Sequence, residues 1–183
     1  MILRTEEQAA FSESRFLIEK TGIPFTRQEL DSMVSADFGL SRLRKEGIQV
    51  LTFLNTEKVG AKIIVLLPGQ TMLEHWHPKR GVDSGKEETL RCIFGICRLY
   101  IPGEESIKLG SIPQDMDNYY TCRKEINLQI NDQYTISPGI PHWFQPGKEG
   151  CVIFSFSNNV TDLEDKFTNP HVVRNTVYAD SQP

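Results

Sequence analysis

The chain has no C-x-x-C pair, no long apolar run, no excess of positive charge and no internal repeat, and each absence removes a class of protein. The four cysteines, Cys92, Cys97, Cys122 and Cys151, are scattered, so neither a disulfide framework nor a zinc knuckle is expected. Cys92 and Cys151 lie in apolar, strand-like runs where a thiol behaves as a small hydrophobe. No apolar segment approaches the ~20 residues of a membrane-spanning helix. Residues Met1 to Glu7 include acidic side chains where a signal peptide has an apolar core, so a cytoplasmic protein without a membrane partner is expected. A formal charge of -4 offers no basic stripe to a phosphate backbone, so nucleic acid is not an expected partner.

What remains is an ordinary soluble composition, 39% hydrophobic and 24% charged, in 183 residues. That length suits one domain and buries ~70% of the surface an unfolded chain exposes. Within it, residues 1–47 read as a helical segment, 48–157 as a barrel and 158–183 as a tail. The first helix is expected over about Thr5 to Lys20, stopped by Gly22. Thr26-Arg27-Gln28-Glu29 has capping-box spacing, which predicts a second helix from Thr26 to near Gly39. Both are expected to pack outside a sheet.

From Ile48 the texture changes to short apolar runs bounded by Gly, Pro, Asn and Asp, the pattern of a small all-β barrel or sandwich. The runs include Ala61 to Leu67, Met72 to His77, Thr89 to Phe94, Ile96 to Ile101, His142 to Gln145 and Cys151 to Phe156. The stretch Gly103 to Lys124 is polar and turn-rich, and its Asn118-Tyr119-Tyr120 reads as a strand start or a flap.

The polar residues that stand out are Gly69, His75, His77, Glu88 and Gly95, spaced G-x5-H-x-H-x10-E-x6-G, with a later P-G-x-P-H that ends at His142. Histidines two apart on a strand share a face, so one strand can present both. Three imidazoles and a carboxylate without thiolate suit Mn, Fe, Co, Ni or Zn, and leave coordination positions open. A bidentate hydroxy-carbonyl substrate matches such an ion. These spacings resemble the two motifs of the cupin superfamily, small antiparallel barrels holding one metal in the mouth. The second motif departs at Asp132, where glycine is usual, and at Pro146, where asparagine is common.

Around these ligands, Lys86 lies two residues before Glu88 and is expected to share its side of the strand and contact substrate. Glu87, out of phase, reads as a surface charge, and Glu74 is likewise out of phase with His75 and His77. Trp143 and Phe144 divide between core packing and substrate contact, with Phe144 assigned to substrate. Arg91 and Arg98 are expected to face outward and pair with acids.

A closer resemblance runs from Leu67 onward. Leu67-Pro68-Gly69-Gln70, Glu74-His75-Trp76-His77-Pro78-Lys79-Arg80-Gly81, Gly85-Lys86-Glu87-Glu88-Thr89-Leu90-Arg91-Cys92, Leu99-Tyr100-Ile101-Pro102-Gly103-Glu104, His142-Trp143-Phe144-Gln145 and Asp165-Lys166-Phe167-Thr168-Asn169-Pro170 resemble the D-lyxose ketol-isomerase family. The resemblance implies a manganese-dependent aldose-ketose isomerase acting on D-lyxose and D-xylulose, with D-mannose and D-fructose as side substrates. It implies His75, His77, Glu88 and His142 as metal ligands, Lys86 as a substrate contact, and the Asp162 to Asp165 segment near the barrel mouth. Taken with the reading of the residues themselves, the catalytic candidates are Lys86 and Glu88 and the substrate contacts Lys86, Phe144 and Asp165. Relatives often carry a glutamate before the Phe-Ser pair of the last strand, where this chain has Ser155. An enediol route then needs another acidic group, Glu88 in a second role or Asp165, and a hydride shift is the other route. A non-catalytic sugar-binding cupin and an iron-dependent cupin oxygenase fit the same ligands. Exposed sheet edges make a homodimer the expected assembly.

Overall fold

The computed structural model describes residues 1–79, 81–158 and 162–179. Arg80 and, in the expected tail, residues 159–161 and 180–183 lie outside them. Helix α1 (Arg4–Lys20) buries Ala10, Ser14, Leu17 and Ile18, one stripe at helical spacing, and leaves Phe16 exposed. Gly22 follows at φ +72° and ends it as expected. Helix α2 (Arg27–Asp31) has both halves of the Thr26/Glu29 capping box but stops after five residues.

The expected continuation of α2 to Gly39 is therefore corrected. Val34–Ala36 forms strand β1, and Phe38 and Gly39 both take positive φ, 54° and 71°, which no α-helix accommodates. The β-branched Val34 and its neighbours find backbone partners on the next strand, with Val34 opposite Val50 and Ala36 opposite Ile48. A nearby sheet edge outcompetes weak helical periodicity.

The remaining strands are β2 (Ile48–Asn55), β3 (Gly60–Leu66), β4 (Met72–Trp76), β5 (Glu88–Ile101), β6 (Lys124–Leu128), β7 (Gln133–Ile136), β8 (His142–Ser157) and β9 (Lys166–Phe167). They form one antiparallel sheet, ordered β1-β2-β3-β8-β4-β9, with β5 on the other side of β8 and bonded in turn to β6 and β7. This curled sheet is the cupin architecture. Its strands alternate between two cores. Ile64, Leu66, Leu90, Leu99, Trp143 and Ile153 fill the inside, while Ile63, Val65, Leu51 and Val152 face outward against Leu17 and Ile18 of α1.

Two pairs of runs expected as separate strands are continuous. β5 spans the break expected at Gly95, and β8 spans the gap expected between Gln145 and Cys151. The reason lies in the pairing of Gly95 with Cys151 between register shifts, where both long strands bend together. Gly95 has φ +71°, and a Cβ there would meet the Gly150 carbonyl oxygen at 2.2 Å. Glycine on each strand thus makes the bend possible where sequence alone suggests a turn. The flap question also resolves: Asp117–Tyr119 is a 3-10 turn, and Tyr120 is buried with its hydroxyl donating to Glu46 at 2.7 Å. Tyr120 and Tyr100 bracket the Trp143 ring, with centroids 4.9 and 3.6 Å away.

Among the described residues, no helix is long and apolar enough to cross a membrane. Gly95→Ala is expected to lower the unfolding free energy by roughly 3 kcal/mol, because left-handed strain adds to the backbone clash. Gly139→Ala, at φ +77° with open space around it, should lose only about 1 kcal/mol. Urea unfolding of the two variants measures the difference.

Candidate metal centre

Three strand ends deliver four donors to one point. His75 lies on β4 and His77 two residues on, just past its end, His142 opens β8 directly opposite His75, and Glu88 opens β5. One ligand atom from each lies within 4.8 Å of all the others, and all four side chains are buried. The turn at Pro138-Gly139 reaches back, Gly139 N–H donating to the His77 carbonyl at 2.8 Å, which brings His142 alongside β4.

The imidazoles are oriented from behind. Nδ1 of His75 donates to the Leu73 carbonyl at 2.8 Å, Nδ1 of His142 to the Ile140 carbonyl at 2.9 Å, and Nδ1 of His77 to Asp165 Oδ1 at 2.7 Å. A carbonyl oxygen only accepts, so the proton sits on Nδ1 and the Nε2 lone pair is left for an ion. Nε2 of His142 is buried without a hydrogen-bond partner among the described residues, a cost that a cation would remove. Glu88 accepts from Ser155 Oγ at 2.5 Å on one oxygen, and its other oxygen lies 3.0 Å from His77 Nε2. This donor set fits a borderline divalent ion such as Mn, Fe, Co, Ni or Zn.

For His75, His142 and Glu88 the electrostatics agree. Burial, reinforced by neighbouring imidazoles, holds His75 well below its usual range, and burial brings His142 down to about 4, so both stay neutral as ligands must. Burial pushes Glu88 upward, but Lys86 and His77 outweigh it and hold the carboxyl well below the usual carboxylate range. His77 is also buried, yet its bonds to Asp165 and Glu88 raise it.

The centre opens onto a cavity of about 290 Å³. His75, Lys86, Glu88, Asp162 and Asp165 give its lining polar groups, and Phe38, Ile48, Ile64, Phe144 and Phe167 give it apolar faces. β5 begins at Glu88 rather than at Lys86, but Lys86 is buried on the cavity side all the same. Its Nζ donates to Asp162 Oδ1 at 3.0 Å and lies 3.8 Å from Asp165 Oδ2. Burial opposes its charge, and Glu88, Asp165 and Asp162 together outweigh burial and raise its pKa. Phe144 lines the cavity, whereas Trp143 is core, donating its Nε1 hydrogen to the Cys122 carbonyl at 2.9 Å. Glu87 is exposed.

Two expectations change. Glu74 points away from the ligands but is buried. It accepts from Thr121 N, Thr121 Oγ1, Cys122 N and Thr168 Oγ1 at 2.6 to 2.8 Å. Glu74 therefore ties two crossing segments to β4, and one of them carries Asp165 and Phe167, whose ring stacks on His75 at 5.8 Å. Among the described residues, Arg91 and Arg98 form no ion pair with an acid. Arg91 donates to Gln133 and Asn131 side chains and Arg98 to the Pro146 carbonyl, because the strands beside them offer amide and carbonyl oxygens instead. Sequence reading passed over Lys62, which meets Asp162 in an ion pair at the cavity wall although the two are 100 residues apart. A lone charge inside the apolar run 60–66 was the available signal.

No family model matches the chain. A D-lyxose ketol-isomerase of Cohnella laeviribosi is 42% identical over 171 residues, covering 93% of this chain and 94% of that protein. This chain belongs to the D-lyxose ketol-isomerase family. It is a sugar isomerase. A second member, the D-lyxose/D-mannose isomerase of Thermosediminibacter oceani, is 41% identical over 158 residues, covering 86% of this chain and 87% of that one. Among solved structures, L-ribose isomerase of Cellulomonas parahominis superposes with a TM-score of 0.76 at 14% identity, covering 93% and 94% of the two chains. L-ribose isomerase of Acinetobacter sp. DL28, in complex with L-ribose, gives 0.75 at 14% identity with the same coverage. At that identity the likeness establishes the shared fold.

Mn²⁺ or Co²⁺ added at about 100 times its Kd should stabilise the ion-free protein by about 2.7 kcal/mol. The gain should vanish in Glu88→Ala, as read by thermal unfolding with and without chelator. Glu74→Ala, which strands two backbone N–H groups, should cost roughly 3 kcal/mol in urea unfolding.

Proposed function

We propose that this sugar isomerase interconverts D-lyxose and D-xylulose, and also D-mannose and D-fructose, and depends on Mn²⁺ held by His75, His77, Glu88 and His142. The observation that carries the reading is the convergence of those four side chains on a cavity that also presents Lys86, Phe144 and Asp165, in a chain 42% identical to a D-lyxose ketol-isomerase. The ion supplies Lewis-acid polarisation of a carbonyl and its adjacent hydroxyl.

The chain's own groups then have separate tasks. Lys86 donates to the sugar oxygens on which negative charge develops. Glu88 has one oxygen bonded to Ser155 and the other beside His77, so it serves as an oriented ligand. Asp165 is the better proton carrier. Its Oδ1 is held by His77, while its Oδ2 lies on the cavity side, 3.8 Å from Lys86 and 3.7 Å from Arg174. In the aldose-to-ketose direction Asp165 takes the proton from C2 and returns it to C1, while the O2 hydroxyl proton passes to O1. Phe144 offers an apolar face to the carbon chain.

The same reading has the protein working as a cytoplasmic homodimer, each copy one domain. Phe53, Leu54, Val59 and Phe156 are exposed along the outer sheet and suit an interface.

The test is isomerisation of D-lyxose and D-mannose by metal-stripped protein reloaded with Mn²⁺, followed by NMR. Turnover should require the ion and disappear in His77→Ala. Asp165→Asn should keep the ion and lose roughly 10²- to 10⁴-fold in kcat. Full turnover by the stripped protein would sink the metal-dependent reading, and an unimpaired Asp165→Asn the proton-carrier assignment.

A further inference from the structure

β3 is buried along its whole length between β2 and β8, yet its third residue is a lysine. Alternation sends Ile63 and Val65 toward α1 and Lys62 and Ile64 into the cavity, which both line. An ammonium in the middle of a sheet is costly to desolvate, and an aliphatic side chain would fill the same space. Among the described residues its partner is Asp162, carried on the 3-10 turn Asp162–Glu164. Asp162 gives its other oxygen to Lys86, so two ammoniums share one carboxylate. Each ammonium has three donors, more than a single shared carboxylate takes up.

The register places this pair relative to the metal centre. Lys62 stands opposite Ser155 on β8 and opposite Thr52 on β2. Ser155 touches the ligand Glu88, whereas Thr52 is exposed at the cavity rim. Adjacent strands lie about 4.8 Å apart, so the row Ser155, Lys62, Thr52 steps outward from the centre by one strand at a time. An open-chain sugar with its carbonyl end at the ligands would find Lys62 and then Thr52 along that row, both of which line the cavity.

We propose that Lys62, paired with Asp162, is the subsite for the far hydroxyls of the open-chain sugar and a determinant of which sugars the enzyme accepts. A hydroxyl both accepts and donates, and the pair offers an ammonium to its oxygen and a carboxylate to its hydrogen. The inference rests on the sugar-isomerase reading of the ligand group. It gives the buried lysine a task that clasping the tail to the barrel would not require.

The test uses the Mn²⁺-loaded protein, its Lys62→Met variant and, should that variant not fold, Asp162→Asn. D-arabinitol spans the whole subsite row, while dihydroxyacetone reaches only the carbonyl end. Each variant should keep its manganese by metal analysis, raise KM for D-lyxose and weaken D-arabinitol binding in calorimetry by ~10- to 100-fold, the loss of a hydrogen bond to a charged group. Dihydroxyacetone binding by Lys62→Met should change less than about 2-fold. Unchanged KM and D-arabinitol affinity with an earlier melt would reduce the pair to a structural clasp and overturn the proposal. Equal weakening of both compounds would overturn it too, by showing damage to the centre itself. If the parent protein holds manganese but binds neither compound and converts no sugar, the isomerase reading falls first and this inference with it.

Discussion

Strand β8 carries the constraint on which the site depends. It is bonded to β3 and β4 along one edge and to β5 along the other, so its register cannot slip without breaking three ladders. That register sets His142 opposite His75 and Ser155 within reach of Glu88. A shift of one residue would turn every side chain on β8 to the other face. The paired bend at Gly95 and Gly150 belongs to the same constraint, because it lets two long strands curl together while remaining bonded.

Buried donors impose the next layer. Three imidazoles sit together, buried, and each has its Nδ1 hydrogen tied to an oxygen behind it. The lone pairs left over converge, which apolar packing would not favour and a cation does. The segment that supplies Asp165 to His77 also lays Phe167 on His75, and Glu74 holds that segment through Thr168. A carboxylate pointing away from the centre therefore helps shape it.

Much of this was legible beforehand, for specific reasons. The ligands were readable because His-x-His on a strand and a carboxylate at the head of the next are local patterns, and the Thr26 capping box was readable because it closes within four residues. The extent of α2 was not, since β1 forms only when the edge of β2 is there to receive it. Nor were the burial of Glu74 and the meeting of Lys62 with Asp162, because their partners lie tens of residues to a hundred away. Alternation predicted which way Glu74 points but not what covers it.

The amino-acid sequence by itself determined the all-β character, the metal-binding residue types and their sharing of strand faces, because backbone alternation and ligand chemistry act over a few residues. Tertiary structure alone decided how distant groups complete the cavity. Asp162, Asp165 and Phe167 enter it from the far end of the chain, and only the pairing of β9 with β4, together with the bonds to Glu74 and Lys62, brings them there. The physical reason is that desolvated charges must find partners in space, and the fold chooses those partners without regard to distance along the chain.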